Sequence, residues 1–156
     1  MNRDIKFNVY DKTTNTYYSN KDYDINIYLG RRMLDITEKN KNIDLIVLDY
    51  ENEIECVLLE YTGLKDKNGK EIYEGDIVSI EIKDKTIKNK IIASSNKVVE
   101  YKDCKFGVIW GWHRDFTGLD GFYNTTFEVI GNVYEDPKLL QEDKHEGYYI
   151  FIKTIQ

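Results

Sequence analysis

Apolar and polar residues alternate with a period of two along much of this chain, the pattern of strands with one buried face. Ile5, Phe7 and Val9 alternate with Lys6, Asn8 and Tyr10. The polar run Asp11–Thr16 (DKTTNT) turns the chain and Tyr17-Tyr18 restarts an extended segment, so residues 4–20 read as a hairpin. Tyr23, Ile25 and Ile27 give the next strand, closed by Gly30. Arg31–Asn42 is ambiguous: Met33, Leu34 and Thr37 fit one face of a short helix, and helix or loop both remain open. Ile43–Tyr50 (IDLIVLDY) is a near-continuous apolar run of strand length, consistent with burial on both faces. Glu51–Glu53 reads as a turn, and Ile54, Cys56 and Leu58 open another strand.

Tyr61–Ile80 (YTGLKDKNGKEIYEGDIVSI) packs three turn signals into a short span: Thr62-Gly63, Asn68-Gly69 and Glu74-Gly75. Asn68-Gly69 is the dipeptide favoured by a type I′ hairpin turn, and the flanks Leu64–Lys67 and Lys70–Tyr73 supply short arms. After Gly75 and Asp76 comes a β-branched strand through Ile80. A turn, a hairpin and a strand opening on Gly-Asp is how many small SH3-like barrels begin. Lys83, Lys85, Lys88 and Lys90 then recur around Ile82, Ile87 and Ile91, which suits a hairpin with a lysine-lined outer face and a second turn at Ser94-Ser95-Asn96. Val98–Tyr101 and Phe106–Trp112 are further strands, the second bent at Gly107 and Gly111. His113–Asn124 is loop-like, and Phe127–Tyr134 is the last barrel strand, bent at Gly131. Asp136 as cap and Pro137 at the first helical position predict a short helix with Leu139-Leu140 on its apolar face, stopped by Gly147. Tyr148–Ile155 (YYIFIKTI) is an apolar strand that either docks on its own sheet or pairs with a neighbouring subunit. The predicted fold is mainly β, α+β only through one minor helix. It comprises an N-terminal meander over 1–60, an SH3-like barrel over 61–135, and a helix-and-strand tail over 136–156.

Composition supports this picture. In 156 residues there are thirteen tyrosines and one proline, which favours strands over helices or linkers. A hydrophobic share of 41% with 32% charged residues predicts a soluble globular protein. The net charge of −6 speaks against a dedicated duplex-DNA binder. No apolar run approaches the ~20 residues of a membrane helix, so no membrane partner is expected. Cys56 and Cys104 lack a CxxC partner, and without a secretory signal a reduced pair is expected.

Catalytic constellations are not evident. His113-Arg114-Asp115 resembles a kinase catalytic-loop triplet, but Asp120 stands where that motif needs Asn, and the phosphate-binding glycine loop is missing. His113 and His145 are isolated, no DxDxDG loop exists, and neither cysteine sits in an activating context, so no metal, cofactor or catalytic residue is assigned. The Lys83–Lys97 segment carries five lysines (Lys83, Lys85, Lys88, Lys90, Lys97) against Asp84, a local +4. With Tyr101, Trp110 and Trp112 nearby, it reads either as a nucleic-acid face or as a solvated hairpin whose lysines guard an edge strand. Arginine, the residue that forks onto phosphate and guanine, is missing from it. The aromatics Phe106, Trp110, Trp112, Phe116, Phe122, Tyr123 and Phe127 read as a barrel core or a ligand slot. Trp110, Trp112, Tyr148 and Phe151 are the candidate interaction surface, and Asn68, Gly69, Gly75 and Asp76 the structural turn.

Three stretches carry a resemblance: Thr62–Val78 (TGLKDKNGKEIYEGDIV), Phe127–Leu140 (FEVIGNVYEDPKLL) and the opening Arg3–Asp11. Together they resemble the YopX-like family encoded by bacteriophages and prophages, over residues 1 to about 140. The tail after Leu140 and the lysine-rich stretch near 81–102 depart from the family pattern. The resemblance implies a β-rich phage accessory protein in the host cytoplasm, with no catalytic residues to carry over. The expected partner is a host or phage protein, or a second copy of the chain, with nucleic acid as the alternative.

Overall fold

The structure, a computed structural model, describes residues 4–28, 33–41, 44–49, 55–111 and 113–140, with the backbone alone for Met33 and residues 44–49. The described elements are mainly β, as the period-two pattern predicts. The chain forms two compact units, Met1–Leu64 and Lys65–Gln156.

In the first unit β1 (Phe7–Asp11) pairs antiparallel with β2 (Thr16–Tyr18), which is the predicted hairpin. β3 (Tyr23–Tyr28), β4 (Met33–Glu38) and β5 (Asp44–Asp49) form an antiparallel meander. Within the ambiguous 31–42 segment, Met33–Glu38 is a strand, not a helix or a loop. Its Leu34 and Ile36 are buried while the alternating Asp35 and Thr37 are only half-buried, so period two holds there. β6 (Cys56–Lys65) lies antiparallel to β1, with Val9 opposite Leu58. Val9, Tyr18, Leu34 and Ile36 make the unit's core, with Ile25, Ile27 and Leu58 packed against it. The predicted turn at Thr62-Gly63 is instead part of β6, where Gly63 takes φ +85° without ending the strand.

The second unit opens on the turn Asp66–Lys70, followed by β7 (Glu71–Tyr73). Asp66 N–H donates to Lys70 C=O (2.8 Å) and Gly69 N–H to Asp66 C=O (3.0 Å), and Gly69 alone takes positive φ (+82°). This is a three-residue loop, a type I turn completed by a left-handed glycine, rather than the two-residue I′ turn predicted. β8 (Asp76–Lys83) pairs with β9 (Ile91–Val98) on one side and β13 (Thr125–Asn132) on the other. Ser94-Ser95-Asn96 therefore lies inside β9, not in a turn, because Glu81, Ile80 and Ser79 of β8 pair with it residue by residue. Beyond Val99 the chain continues into β10 (Glu100–Lys102), which pairs with β11 (Lys105–Trp110), and β11 with β12 (Asp115–Gly118). The predicted loop over 113–124 thus contains a strand and a 3-10 turn at Leu119–Gly121. β13 is bulged between Val129 and Gly131, where the bend was expected. Pro137–Leu140 form a 3-10 turn; the rest of the predicted helix lies outside the described residues.

Ile72, Val78, Ile80, Val99, Val108, Leu119 and Val129 form the core of this unit, each of the larger side chains worth roughly 1.5–3 kcal/mol on burial. Phe106, Trp110, Phe122 and Phe127 pack against it. Gly107 faces both Glu100 and Gly118 in the β10–β11–β12 sheet. A Cβ there would stand 2.4 Å from Thr117 O and 2.7 Å from the Phe116 ring. Gly107→Val is accordingly expected to lower stability by about 2 kcal/mol or more, since a backbone oxygen cannot step aside. Urea denaturation checks it; a cost within a few tenths of a kcal/mol would contradict the close approach.

Candidate interaction surface

Four turns are closed by the same local device. At each, an aspartate or asparagine at the end of a strand turns its side-chain oxygen onto the main-chain N–H groups that follow it. Asp11 accepts from Thr13 N–H (2.8 Å) and from the Thr14 hydroxyl (2.6 Å) between β1 and β2. Asp66 Oδ1 accepts from Asn68 N–H (2.8 Å) and Lys70 N–H (2.9 Å). Asp84 Oδ1 accepts from Thr86 N–H (2.7 Å), its hydroxyl (2.7 Å) and Ile87 N–H (3.0 Å). Asn132 Oδ1 accepts from Tyr134 N–H (3.0 Å) and Glu135 N–H (2.9 Å). The three aspartates are each followed by lysine, in DKTT, DKNG and DKTI. That recurrence was the available signal in the sequence.

Asp66 does more than close its own turn. Its Oδ2 accepts from the buried Val129 N–H (3.0 Å), and Lys67 N–H donates to Phe127 C=O (2.9 Å), so the turn is stitched onto β13. Burial opposes ionisation of Asp66, but the N–H groups of Val129, Lys70 and Asn68 and the Lys70 ammonium outweigh it and hold its carboxyl below the ordinary value. Asp76 has a different balance. It is buried, its Oδ2 accepts one N–H, that of Tyr73 (2.8 Å), and burial with the nearby Asp66 charge pushes its carboxyl up to about 6. The Gly75-Asp76 corner joins three stretches. Gly75 N–H donates to Val99 C=O, Val99 N–H to Asp76 C=O, and Val133 N–H to Gly75 C=O. Gly75 takes φ +81°, which suits glycine there. Asn68 and Gly69 thus lie in the Asp66–Lys70 turn and Gly75 and Asp76 at a second corner before β8, and Asp66 is a turn residue the sequence reading missed.

The lysines do not line one face. Lys83 ends β8 and Lys85, Lys88 and Lys90 stand on the loop joining β8 to β9, whereas Lys97 lies opposite Val78, roughly 20 Å along β9 from the loop. The loop has a fixed form: Asp84 N–H donates to Lys90 C=O (2.8 Å), and Asn89 takes φ +62°. Hydrogen bonds from the Thr86 hydroxyl and from Thr86 and Ile87 N–H lower the Asp84 carboxyl to about 2. On this loop and the start of β9, Ile87, Ile91 and Ile92 are 51%, 47% and 58% exposed. Lys83 N–H donates to Asn124 C=O (2.9 Å), which sets Asn124 beside the base of the loop. The residue before it, Tyr123, is 79% exposed.

The aromatic run divides. Trp110 meets Phe122 edge-on (5.4 Å between centroids), and Phe122 meets Phe127 likewise (5.6 Å), against the core. Trp110 is therefore half-buried packing rather than a free contact surface, as the inward face of β11 dictates. Phe116 lies over Gly107, and Lys102 Nζ stands 5.9 Å from the Phe116 ring centroid. Trp112, Tyr148 and Phe151 lie outside the described residues. His113 is exposed beside Arg114, which takes φ +54° in the turn between β11 and β12. Cys56 and Cys104 are free thiols, and burial raises the Cys56 thiol to about 11. Among the described residues no three His, Cys, Asp or Glu side chains group as a metal ion requires, and no helix is long and apolar enough to cross a membrane.

The class so defined is a two-unit, mainly β protein whose turns are tied by aspartate side chains. The sequence matches the YopX protein family over residues 6–141, and the chain belongs to that family. It is similar in structure to protein yopX from Bacillus subtilis, at 25% identity and TM-score 0.56, covering 86% of this chain and 96% of that one. A second similar structure is protein EF1440 from Enterococcus faecalis, at 24% identity and TM-score 0.49, covering 89% of this chain and 99% of that one. No curated protein matches the chain.

Proposed function

We propose that this protein is a non-enzymatic binding module, a phage-encoded accessory protein that acts in the host cytoplasm on a host or phage protein. The observation that carries this reading is the use of the side-chain oxygens in its turns. Asp11, Asp66, Asp84 and Asn132 each accept main-chain N–H groups, so their polarity goes into holding loops. A loop fixed in this way presents an exposed side chain such as Ile87 in a set position, and a pre-organised surface loses less entropy on binding.

The same reading takes the second unit to be an SH3-like barrel. Support comes from two three-stranded antiparallel sheets with the chain passing from β9 of one to β10 of the other at Val99. Strands that switch sheets at a bend are how orthogonal small barrels turn their corners. The nucleic-acid alternative has less support, because Lys97 stands apart from the loop lysines and Trp110 is packed against the core.

Affinity capture with cross-linking from lysogenic cells tests the proposal, comparing wild type with Asp84→Ala. A defined protein should be recovered with wild type, and its yield should fall severalfold when the loop loses its fastener. A turnover measured on any small molecule and abolished by one polar substitution would refute the non-enzymatic reading.

A further inference from the structure

One end of the β13–β8–β9 sheet gathers residues that the sequence keeps apart. Ile87, Ile91 and Ile92 are all exposed there, and the base of their loop is bonded to Asn124, which follows the exposed Tyr123. Four lysines (Lys83, Lys85, Lys88, Lys90) and one aspartate give this end a charge of +3 in a chain of −6. Asp84, the single acid of the loop, is turned inward onto Thr86 and Ile87 N–H and lies 4.0 Å from Lys90 Nζ. The turn therefore holds Ile87 outward in a set conformation, where it contributes nothing to the core.

The geometry points to a peripheral contact with an anionic lipid surface, made by the Asp84–Ile92 loop together with Tyr123. Aliphatic side chains enter the boundary between headgroups and acyl chains, lysines sit at the phosphate level, and tyrosine is a residue of that interface. A second copy fits this patch poorly, since its lysines would face their own counterparts. Nucleic acid fits less well, because the patch sets three isoleucines beside a single aromatic, Tyr123, and the loop has no arginine fork. A surface contact needs no spanning segment, so the lack of a long apolar run does not bear on it. The inference gives to a lipid surface the Ile87 and Tyr123 side chains that the reading above offers to a protein, and vesicle sedimentation and protein capture are separate measurements, so the failure of one is distinguishable from the failure of the other.

The test is co-sedimentation of the full chain with vesicles of equal parts phosphatidylglycerol and phosphatidylcholine at low salt, against vesicles of phosphatidylcholine alone. The protein should sediment with the anionic vesicles only and be released as salt rises. Each lysine at such a surface is worth about fivefold in partitioning. Lys85→Gln with Lys88→Gln should thus weaken binding about 25-fold, and Ile87→Ser with Ile92→Ser should abolish it while the circular dichroism stays unchanged. In Ile87→Trp the indole emission should shift to the blue when anionic vesicles are added. Failure to sediment would overturn the proposal, as would sedimentation that both double variants retain. So would tighter binding of a mixed-sequence single-stranded oligonucleotide that needs the lysines and ignores the isoleucines, or self-association that Ile87→Ser removes.

Discussion

Asp66→Ala is expected to lower the unfolding free energy by roughly 3–5 kcal/mol, the cost of orphaning a buried donor and releasing a turn. The carboxylate accepts from three main-chain N–H groups, and one of them, Val129, lies sixty-three residues further along the chain. Asn68 and Lys70 are exposed, so water replaces the carboxylate for their N–H groups after the substitution. Val129 is buried and its N–H has no such substitute, which is where most of the loss arises. Asp66→Asn keeps an acceptor and should lose about half as much. Because the folded carboxyl is held below its ordinary value, its contribution is present above the normal carboxylate range and disappears as pH falls through that lowered value. Urea denaturation with an unchanged slope checks the prediction, and a loss under about 1 kcal/mol would contradict it.

Asp76→Asn is expected to act in the opposite direction, raising stability near neutral pH. The carboxyl titrates at about 6 in the fold against 3.8 in the open chain, a difference of about 3 kcal/mol at ~1.4 kcal/mol per pH unit. The sign follows from proton counting. Between those two values the folded state binds more protons than the unfolded one, so stability declines as pH rises through about 6 and is fully regained below 3.8. Asparagine keeps an oxygen for Tyr73 N–H and carries no charge, so the variant should gain about 2 kcal/mol at neutral pH and lose this dependence. Denaturation curves across the acid range read this directly. An Asp76→Asn protein less stable than wild type at neutral pH would show that the carboxylate is better satisfied than the Tyr73 N–H alone can make it.

The two substitutions differ because of the number of donors each carboxylate meets, which sequence does not display. Period two was enough to find β1 and β3, whereas β8 showed through its β-branched run, in which the adjacent Ile77 and Val78 are both buried. Periodicity misjudged β4, where Met33 and Leu34 are adjacent and mimic a helical stripe although Leu34 and Ile36 are the buried pair. Ser94-Ser95-Asn96 has turn composition yet lies in β9, because pairing with β8 outweighs the weak preferences of three small polar residues. Asn68-Gly69 marked a turn correctly but not its type, which Asp66 decides by drawing the N–H groups of Asn68 and Lys70 onto one oxygen. The lysine run was visible as a charge cluster. Its division into a loop group and a distant Lys97 depends on how far β9 runs, and the placement of Tyr123 beside it depends on the Lys83–Asn124 bond.

These particulars share one cause. The polar residues that look most available for chemistry in the motif, Asp66 and Asp76, are buried and directed at the main chain, so the motif preserves a shape. The surface available to other molecules is then what the fixed loops display, not what the motif contains. The most direct test is a carbon-13 titration of the aspartate carboxyls in the intact protein. Asp66 should titrate below the ordinary carboxylate range, Asp84 near 2 and Asp76 near 6. Ordinary values for all three would mean that these carboxylates face water rather than the backbone, and the account of the turns would be wrong.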